Sequence, residues 1–488
     1  MSFLETLARV AWTFAQFDPS RSDPQVIQRR QDRRLRRLLR FAFEWSPFYR
    51  ERLSGFDLET VTLAELPTVT KAEVMANFDR VVTDRSIRLE PLEGFLDDPT
   101  NVGKLFGDRP VCHTSGSQGQ PMVVVQDWLS LDLLFAFQMT RGNVGYIRNG
   151  MVEPLRRIVS PARLAVIINR PGFFPSAVVW KHRPESMNQL MELMSVMGND
   201  PDLVPKLNAF RPTALTATPT TLDLLATRAD PPRLPDLEQV VGNSEMLSQA
   251  ARGRISAAFG VPVLDNYACG ECLFLGNGCP THPGAHINVD WAVLEIVDAD
   301  NRPVPPGTLG AKAFLTNLAN YSQPLIRYEV GDLLAFATEP CTCGSRLPRI
   351  DRIRGRAAEV FKVSVGGQER ILAAYPFQHA FEHFRAIREW QAVDQGGNRI
   401  LVRFEPLPGH TLDLARIRAK LNERLGYAGL ANVLSIDLET VPRLEIDRRT
   451  GKFRRMVPRT LNSNLESDAA SSRQRHGTNS EVAVGRQG

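Results

Sequence analysis

The chain has 488 residues, 43% hydrophobic and 23% charged, an ordinary globular balance that leaves room for two or more domains with cores of their own. A formal net charge of +5 does not impose a nucleic-acid partner, because much of the basic excess is local, in residues 29–37 and 448–455. No apolar stretch approaches the roughly 20 residues that span a bilayer, and residues 1–17 are too short and interrupted for a signal peptide, so the expected location is cytoplasmic.

In chain order, the first basic run interleaves its arginines with Leu35, Leu38 and Leu39 at helical spacing, which predicts an amphipathic helix whose arginines face water. Further on, Thr114-Ser115-Gly116-Ser117-Gln118-Gly119-Gln120-Pro121 sets three hydroxyls and two glycines ahead of the apolar run 122–125. Glycines let backbone N–H groups approach an anion, and hydroxyls add donors. The run lacks the spacing of a Walker loop, and a plain hairpin turn is an equal reading. Residues 164–168 and 214–218 read as buried strands, and 219–225 open a helix with a capping threonine. Residues 240–245 leave a strand, 249–259 form a helix, and 261–265 follow as another strand. This alternation predicts an α/β fold with mixed sheets and flanking helices.

After Arg356 the alternation restarts and runs to about Val457, which predicts a smaller α+β domain. Within it, Gly451-Lys452 places a lysine where a turn could present it as a mobile cation. Residues 461–488, rich in Ser, Asn, Gly and Arg, read as a disordered tail.

Six cysteines in a cytosolic chain argue for metal, redox or burial rather than a disulfide framework. Cys341-Thr342-Cys343-Gly344 reads as a tight thiolate turn, and Cys279-Pro280 is followed by His286 in a loop rich in glycine and proline. Cys279, His286, Cys341 and Cys343 would make a closed Cys3His set suited to structural zinc. His282 competes as a ligand, Cys269 and Cys272 form a rival pair, and burial as reduced thiols is the alternative. Cys112 reads as core.

Taken in order, the hydroxyl-rich loop, Asn266-Tyr267-Ala268-Cys269-Gly270-Glu271, Arg327-Tyr328-Glu329-Val330-Gly331-Asp332, Gly355-Arg356-Ala357-Ala358-Glu359 and the Lys452 segment resemble the adenylate-forming superfamily. The likeness is greatest to its phenylacetate-CoA ligase branch and to relatives that adenylylate a deazaflavin coenzyme. Ser46-Pro47-Phe48-Tyr49-Arg50 and Leu66-Pro67-Thr68-Val69-Thr70-Lys71 also look like this branch.

The resemblance implies an adenylation domain over residues 1–355, binding ATP and acid, and a mobile C-terminal domain over 356–460. It implies ATP-dependent formation of an acyl adenylate with release of pyrophosphate, then acyl transfer to CoA, an amine or a carrier-protein thiol. An aryl or arylacetic acid is the expected substrate. The alternatives are a nucleotidyltransferase that stops at an AMP adduct of a coenzyme hydroxyl, and a zinc-stabilised nucleotide-binding protein without catalysis. Thr114, Ser115, Gly116, Ser117 and Gly119 would hold the phosphates, and Glu271 the magnesium that neutralises them. The Gly242 to Glu245 corner, with Gly242, Asn243 and Ser244, would line the adenine pocket, Asn266 and Tyr267 would also bind the nucleotide, and Asp332 would take hydrogen bonds from the ribose. Arg356 would stand near phosphate and ribose, and Lys452 would bridge the acid and the α-phosphate. Several relatives also carry a cysteine, a histidine seven residues on, and then Cys-x-Cys-Gly, which favours the zinc set. Gln118 and Gln120 depart from the usual threonine and lysine of the phosphate loop, and Ala268-Cys269 from a glycine-containing pair. Monomer and homodimer both stand open.

Overall fold

The computed structural model describes residues 23–459, except 115–120, 151, 170–171, 184–186, 189, 352–359, 373, 382, 385, 428, 431–432 and 446–452. The chain divides into two compact units, with the described residues up to 351 in the first and those from 360 to 459 in the second.

The first unit opens on the helix Pro24–Trp45, capped by Asp23, whose carboxylate accepts from the Gln25 backbone N–H at 2.8 Å. Leu35, Leu38, Leu39 and Ala42 bury its apolar stripe. The expectation that its arginines simply face water needs correcting. Arg34 lies 3.4 Å over the Trp291 ring and pairs with the buried Asp290, and Arg36 donates to the carbonyls of Leu58 and Val61 at 3.0 and 2.6 Å. Helical periodicity alone cannot distinguish a solvated arginine from one that bonds carbonyls across a packing seam, since both occupy the edge of the stripe. Burial pulls the Arg34 guanidinium down to about 10.

Strands β1 (Val111–His113) and β2 (Val123–Val125) pair antiparallel around the hydroxyl-rich run. Strands β3 (Ala162–Ile168), β4 (Met191–Met197), β5 (Ala214–Ala217), β6 (Gln239–Gly242) and β7 (Val263–Asp265) form a parallel sheet in the order β4-β3-β5-β6-β7. β5 stops one residue short of the expected 214–218 because Thr218 caps the following helix, Pro219–Ala226. The helix Gln249–Phe259 matches its predicted bounds, starting at the Ser248 cap and ending at Gly260 with φ of 68°. The register aligns Ala217, Gly242 and Asp265, so these strands end together on one edge, where open α/β sheets bind ligands.

Strands β8 (Tyr267–Cys269), β9 (Cys272–Gly278) and β10 (Ala285–Ile287) follow, with β8 and β9 joined by the two-residue connection Gly270-Glu271. Strands β11 (Ala292–Val297), β12 (Lys312–Asn317) and β13 (Tyr328–Val330) form a third, antiparallel sheet. The short β14 (Arg349–Ile350) pairs with β10. Val69 bridges to Tyr328, so the 66–71 segment is stitched to β13.

In the second unit β15 (Phe361–Val365) and β16 (Gln368–Leu372) form a hairpin. β17 (Ile387–Gly396), β18 (Arg399–Pro406), β19 (Ser435–Thr440) and β20 (Met456–Val457) form a sheet in the order β19-β18-β17-β20. The helices Tyr375–Phe381 and Leu414–Tyr427 cover it, burying Phe377, Trp390, Phe404 and Leu421 in one core. No helix among the described residues is long and apolar enough to cross a membrane.

Candidate active site

The strand ends of the parallel sheet carry the first group of predicted residues. Gly242 closes β6, and its carbonyl accepts from the Asn266 backbone N–H at 2.9 Å, which ties the corner after β6 to the corner after β7. The Asn243 amide donates to Thr216 Oγ1 at 2.9 Å, and Ser244 takes φ of 66°, sparsely populated for a residue with a side chain. Its hydroxyl donates to Asn243 Oδ1 at 3.0 Å. Such a local bond helps a short polar side chain tolerate that backbone. The Asn266 side-chain oxygen accepts from the Gly278 backbone N–H at 2.8 Å, fixing the start of β8 against the end of β9.

Glu271 occupies the β8–β9 connection and is buried, which a lone carboxylate resists unless its oxygens find donors. Its Oε1 accepts from the Tyr328 hydroxyl at 2.9 Å, and its backbone carbonyl accepts from Asn317 Nδ2 at 2.8 Å. Burial first, and then the Glu271 charge and hydrogen bond, push the Tyr328 hydroxyl far up, so it remains a neutral donor. Lys71 adds a positive charge near Glu271: burial lowers its pKa and the carboxylate opposes that shift. Asp332 accepts from the Tyr267 hydroxyl at 2.8 Å. On the other side, Gln126 donates to the Gly270 carbonyl at 2.7 Å, and the Thr114 hydroxyl accepts from the Met122 backbone N–H at 3.0 Å.

The fold therefore gathers Thr114, Gly242, Asn243, Ser244, Asn266, Tyr267, Glu271 and Asp332 into one connected region of the first unit. Ser115, Gly116, Ser117, Gly119, Arg356 and Lys452 lie outside the described residues, as do Gln118 and Gln120. Tyr328, Asn317, Gln126 and Lys71 carry no assigned role in the sequence reading. Tyr328 stands inside the Arg327–Asp332 run, but no sequence spacing marks it as the partner of Glu271, 57 residues away. Arg327, from the same run, turns away from the site. Its guanidinium holds Glu295 at 3.1 Å and donates to the Ala64 and Leu66 carbonyls at 3.1 and 2.6 Å, fastening the 63–69 segment.

A second cluster lies in the same unit. Cys279 follows β9, His286 sits in β10, and Cys341 and Cys343 flank a turn ahead of β14 in which Gly344 takes φ of 84°. One ligand atom from each of the four lies within 4.8 Å of all the others. Cys279 Sγ is 3.3 Å from Cys341 Sγ, and Cys343 Sγ is 3.3 Å from His286 Nε2. His286 Nδ1 is 2.9 Å from the Leu347 carbonyl, so Nδ1 carries the proton and Nε2 presents its lone pair to the sulfurs. The hydrogen bond from the Cys343 thiol, against the opposing effect of burial, holds Cys279 well below the usual thiol range. A tetrahedral zinc with thiolates at about 2.3 Å has ligand separations of about 3.8 Å, so three sulfurs and one imidazole at these spacings fit that ion. Of the competitors, His282 bonds Thr342 Oγ1 at 2.8 Å, outside this group. Cys269 and Cys272 face each other across the β8–β9 turn, and burial pushes both thiols up. Cys112 is core, as expected.

No family model matches the sequence. A phenylacetate-coenzyme A ligase of Thermus thermophilus is 24% identical over 458 residues, 89% of each chain. Among solved structures, a 2-hydroxyisobutyryl-CoA ligase in the postadenylation state with 2-HIB-AMP superposes with a TM-score of 0.65. It is 19% identical, and the match covers 90% of this chain and 91% of that one. The amide bond synthetase McbA from Marinactinospora thermotolerans gives a TM-score of 0.50 at 16% identity, covering 70% of this chain and 66% of its own. The chain thus shares the fold of the 2-hydroxyisobutyryl-CoA ligase and is similar in sequence to a phenylacetate-coenzyme A ligase over nearly the whole length of both.

Proposed function

We propose that this protein is an ATP-dependent, AMP-forming carboxylic acid ligase. The observation that carries the reading is the meeting of Glu271 and Asp332, 61 residues apart in sequence, each held by a tyrosine hydroxyl, beside Thr114 and the strand-end corners. In the reaction a carboxylate oxygen of the acid attacks the α-phosphorus of ATP. A phosphorus–oxygen bond to the acid forms, the bond to the bridging oxygen breaks, and pyrophosphate leaves. Asp332, an acceptor, would take the ribose hydroxyls, while Asn243, Ser244 and Tyr267 would line the base. Thr114, with Ser115 and Ser117, would donate to the phosphates. Glu271 would hold a magnesium ion, which neutralises polyphosphate charge when bound. Lys452 and Arg356 would offset charge that builds between acid and α-phosphate.

An aryl or arylacetic acid as substrate, and CoA or an amine as acceptor, are the finer parts of the reading. They draw on the likeness to the phenylacetate-coenzyme A ligase and to the amide bond synthetase. The cysteine cluster would hold structural zinc, because three thiols and one oriented imidazole form a closed set that leaves no position for substrate. Pyrophosphate release, screened over carboxylic acids and repeated with CoA or amines, tests the proposal. Release that depends on one class of acid and is followed by consumption of the acceptor supports it. A stable AMP adduct of a coenzyme hydroxyl, or no release with any acid, overturns it.

A further inference from the structure

Tyr267 belongs to the 266–271 segment yet donates to Asp332, at 2.8 Å, and Tyr328 belongs to the 327–332 segment yet donates to Glu271, at 2.9 Å. Each segment thus supplies the hydroxyl that orients the other segment's carboxylate. Neither β8 nor β13 lies in the other's sheet, so no ladder of backbone bonds sets their separation. Both phenols are buried, at 4% and 3% exposure, and so is Glu271, at 8%. Their hydroxyls therefore have little water to exchange with, and a carboxylate that lost its donor would keep its charge in a poorly solvated place.

We propose that Tyr267 and Tyr328 are positioning residues that form one reciprocal brace, so that the ribose carboxylate and the magnesium carboxylate are organised together. The inference rests on the roles given above to Asp332 and Glu271 and adds their coupling. Each crossed bond ties one segment to the other, alongside the bond from Asn317 of β12 to the Glu271 carbonyl, so loosening either one slackens the hold on both carboxylates. Occupation of the ribose subsite then favours the carboxylate geometry that magnesium needs, and the converse follows by linkage.

The test uses the full chain with Tyr267→Phe, Tyr328→Phe and the double variant, each first confirmed folded by its melting curve. ATP binding is titrated calorimetrically at low and saturating magnesium, which needs no turnover, and pyrophosphate release is followed in parallel. Losing one hydrogen bond to a charged group costs about tenfold or somewhat more. Tyr267→Phe should weaken ATP binding about tenfold and also raise the magnesium concentration for half-maximal effect, although the bond it removes is to Asp332 and not to Glu271. Tyr328→Phe should do the same from the other side, and the double variant should resemble either single one. Effects that multiply to about a hundredfold, or a Tyr267→Phe variant with unchanged magnesium dependence, overturn the brace. Should the wild type bind magnesium and ATP but release no pyrophosphate with any acid, the ligase reading fails while the calorimetric cycle still decides the brace. Wild type that binds no ATP overturns both.

Discussion

Gly270 is packed directly against Thr114: a Cβ placed on the glycine would lie 2.9 Å from Thr114 Cγ2, closer than side-chain carbons come. The contact joins the entry of the hydroxyl-rich run to the connection that carries Glu271. Gly270→Ala should therefore displace Thr114 or the β8–β9 turn, at a cost of about 1–3 kcal/mol, and raise the KM for ATP. The clashing atom is the threonine methyl, so the Gly270→Ala, Thr114→Ser double variant, which keeps the hydroxyl and removes Cγ2, should recover most of the loss. Equal impairment of single and double variants in melting curves and ATP kinetics would place the strain elsewhere.

Lys452→Ala should suppress formation of the acyl adenylate by roughly 10²-fold or more, by analogy with removal of one preorganised electrostatic donor. Acceptance of a presynthesised acyl adenylate should change little, since the lysine is assigned to charge that develops only in the first step. Separate assays of pyrophosphate release and of acyl transfer check the split. Undiminished pyrophosphate release would remove Lys452 from the mechanism.

For the cysteine cluster the expected stoichiometry is one zinc per chain in protein purified without added metal, measured by elemental analysis. The ligands come from two segments about 60 residues apart, joined otherwise by the short β10–β14 pairing. Chelation should therefore lower the melting temperature before it lowers the intrinsic rate. Cys343→Ser, which takes a sulfur from beside His286 Nε2, should lose the metal and the stability together. No metal, with all six thiols titrating as free, would reduce the cluster to ordinary reduced cysteines.

Asp265, at the end of β7, supplies a pH test. Burial raises its carboxyl to about 7, against the opposing charge of Arg252. The folded chain thus holds this proton more tightly than the unfolded chain, whose carboxyl ionises near pH 4, so more protons are bound in the native state between those values. Stability contributed by the protonated group is present at low pH and is lost as pH rises through about 7. Against Asp265→Asn, which cannot ionise, the wild type should lose stability steadily over that window and run parallel above it. A constant difference in melting temperature from pH 4 to 8 would show that Asp265 titrates normally.

Local patterning was enough to read the α/β class, the helix Gln249–Phe259 and, to within two residues at an end, the strands expected at 164–168 and 214–218, because hydrophobic period and capping residues act within a few positions. The same holds for the cysteines. Residue type and spacing nominated Cys279, His286, Cys341 and Cys343, but two other sets remained open. Only the pairing of β10 with β14 brought these four within ligand distance and left His282 on Thr342. Glu271, Asp332 and Tyr267 were legible in recognisable runs, whereas the pairing of the two carboxylates with Tyr328 and Tyr267 was not, since a hydrogen bond across 57 or 65 residues leaves no periodic trace. Nor could the sequence distinguish Arg34, stacked on Trp291, from a solvated neighbour one turn away. The sequence by itself determined which residues could bury, cap or carry charge. Tertiary structure decided which of those groups meet, because that depends on sheet order and crossover, and these are set by the packing of the whole unit.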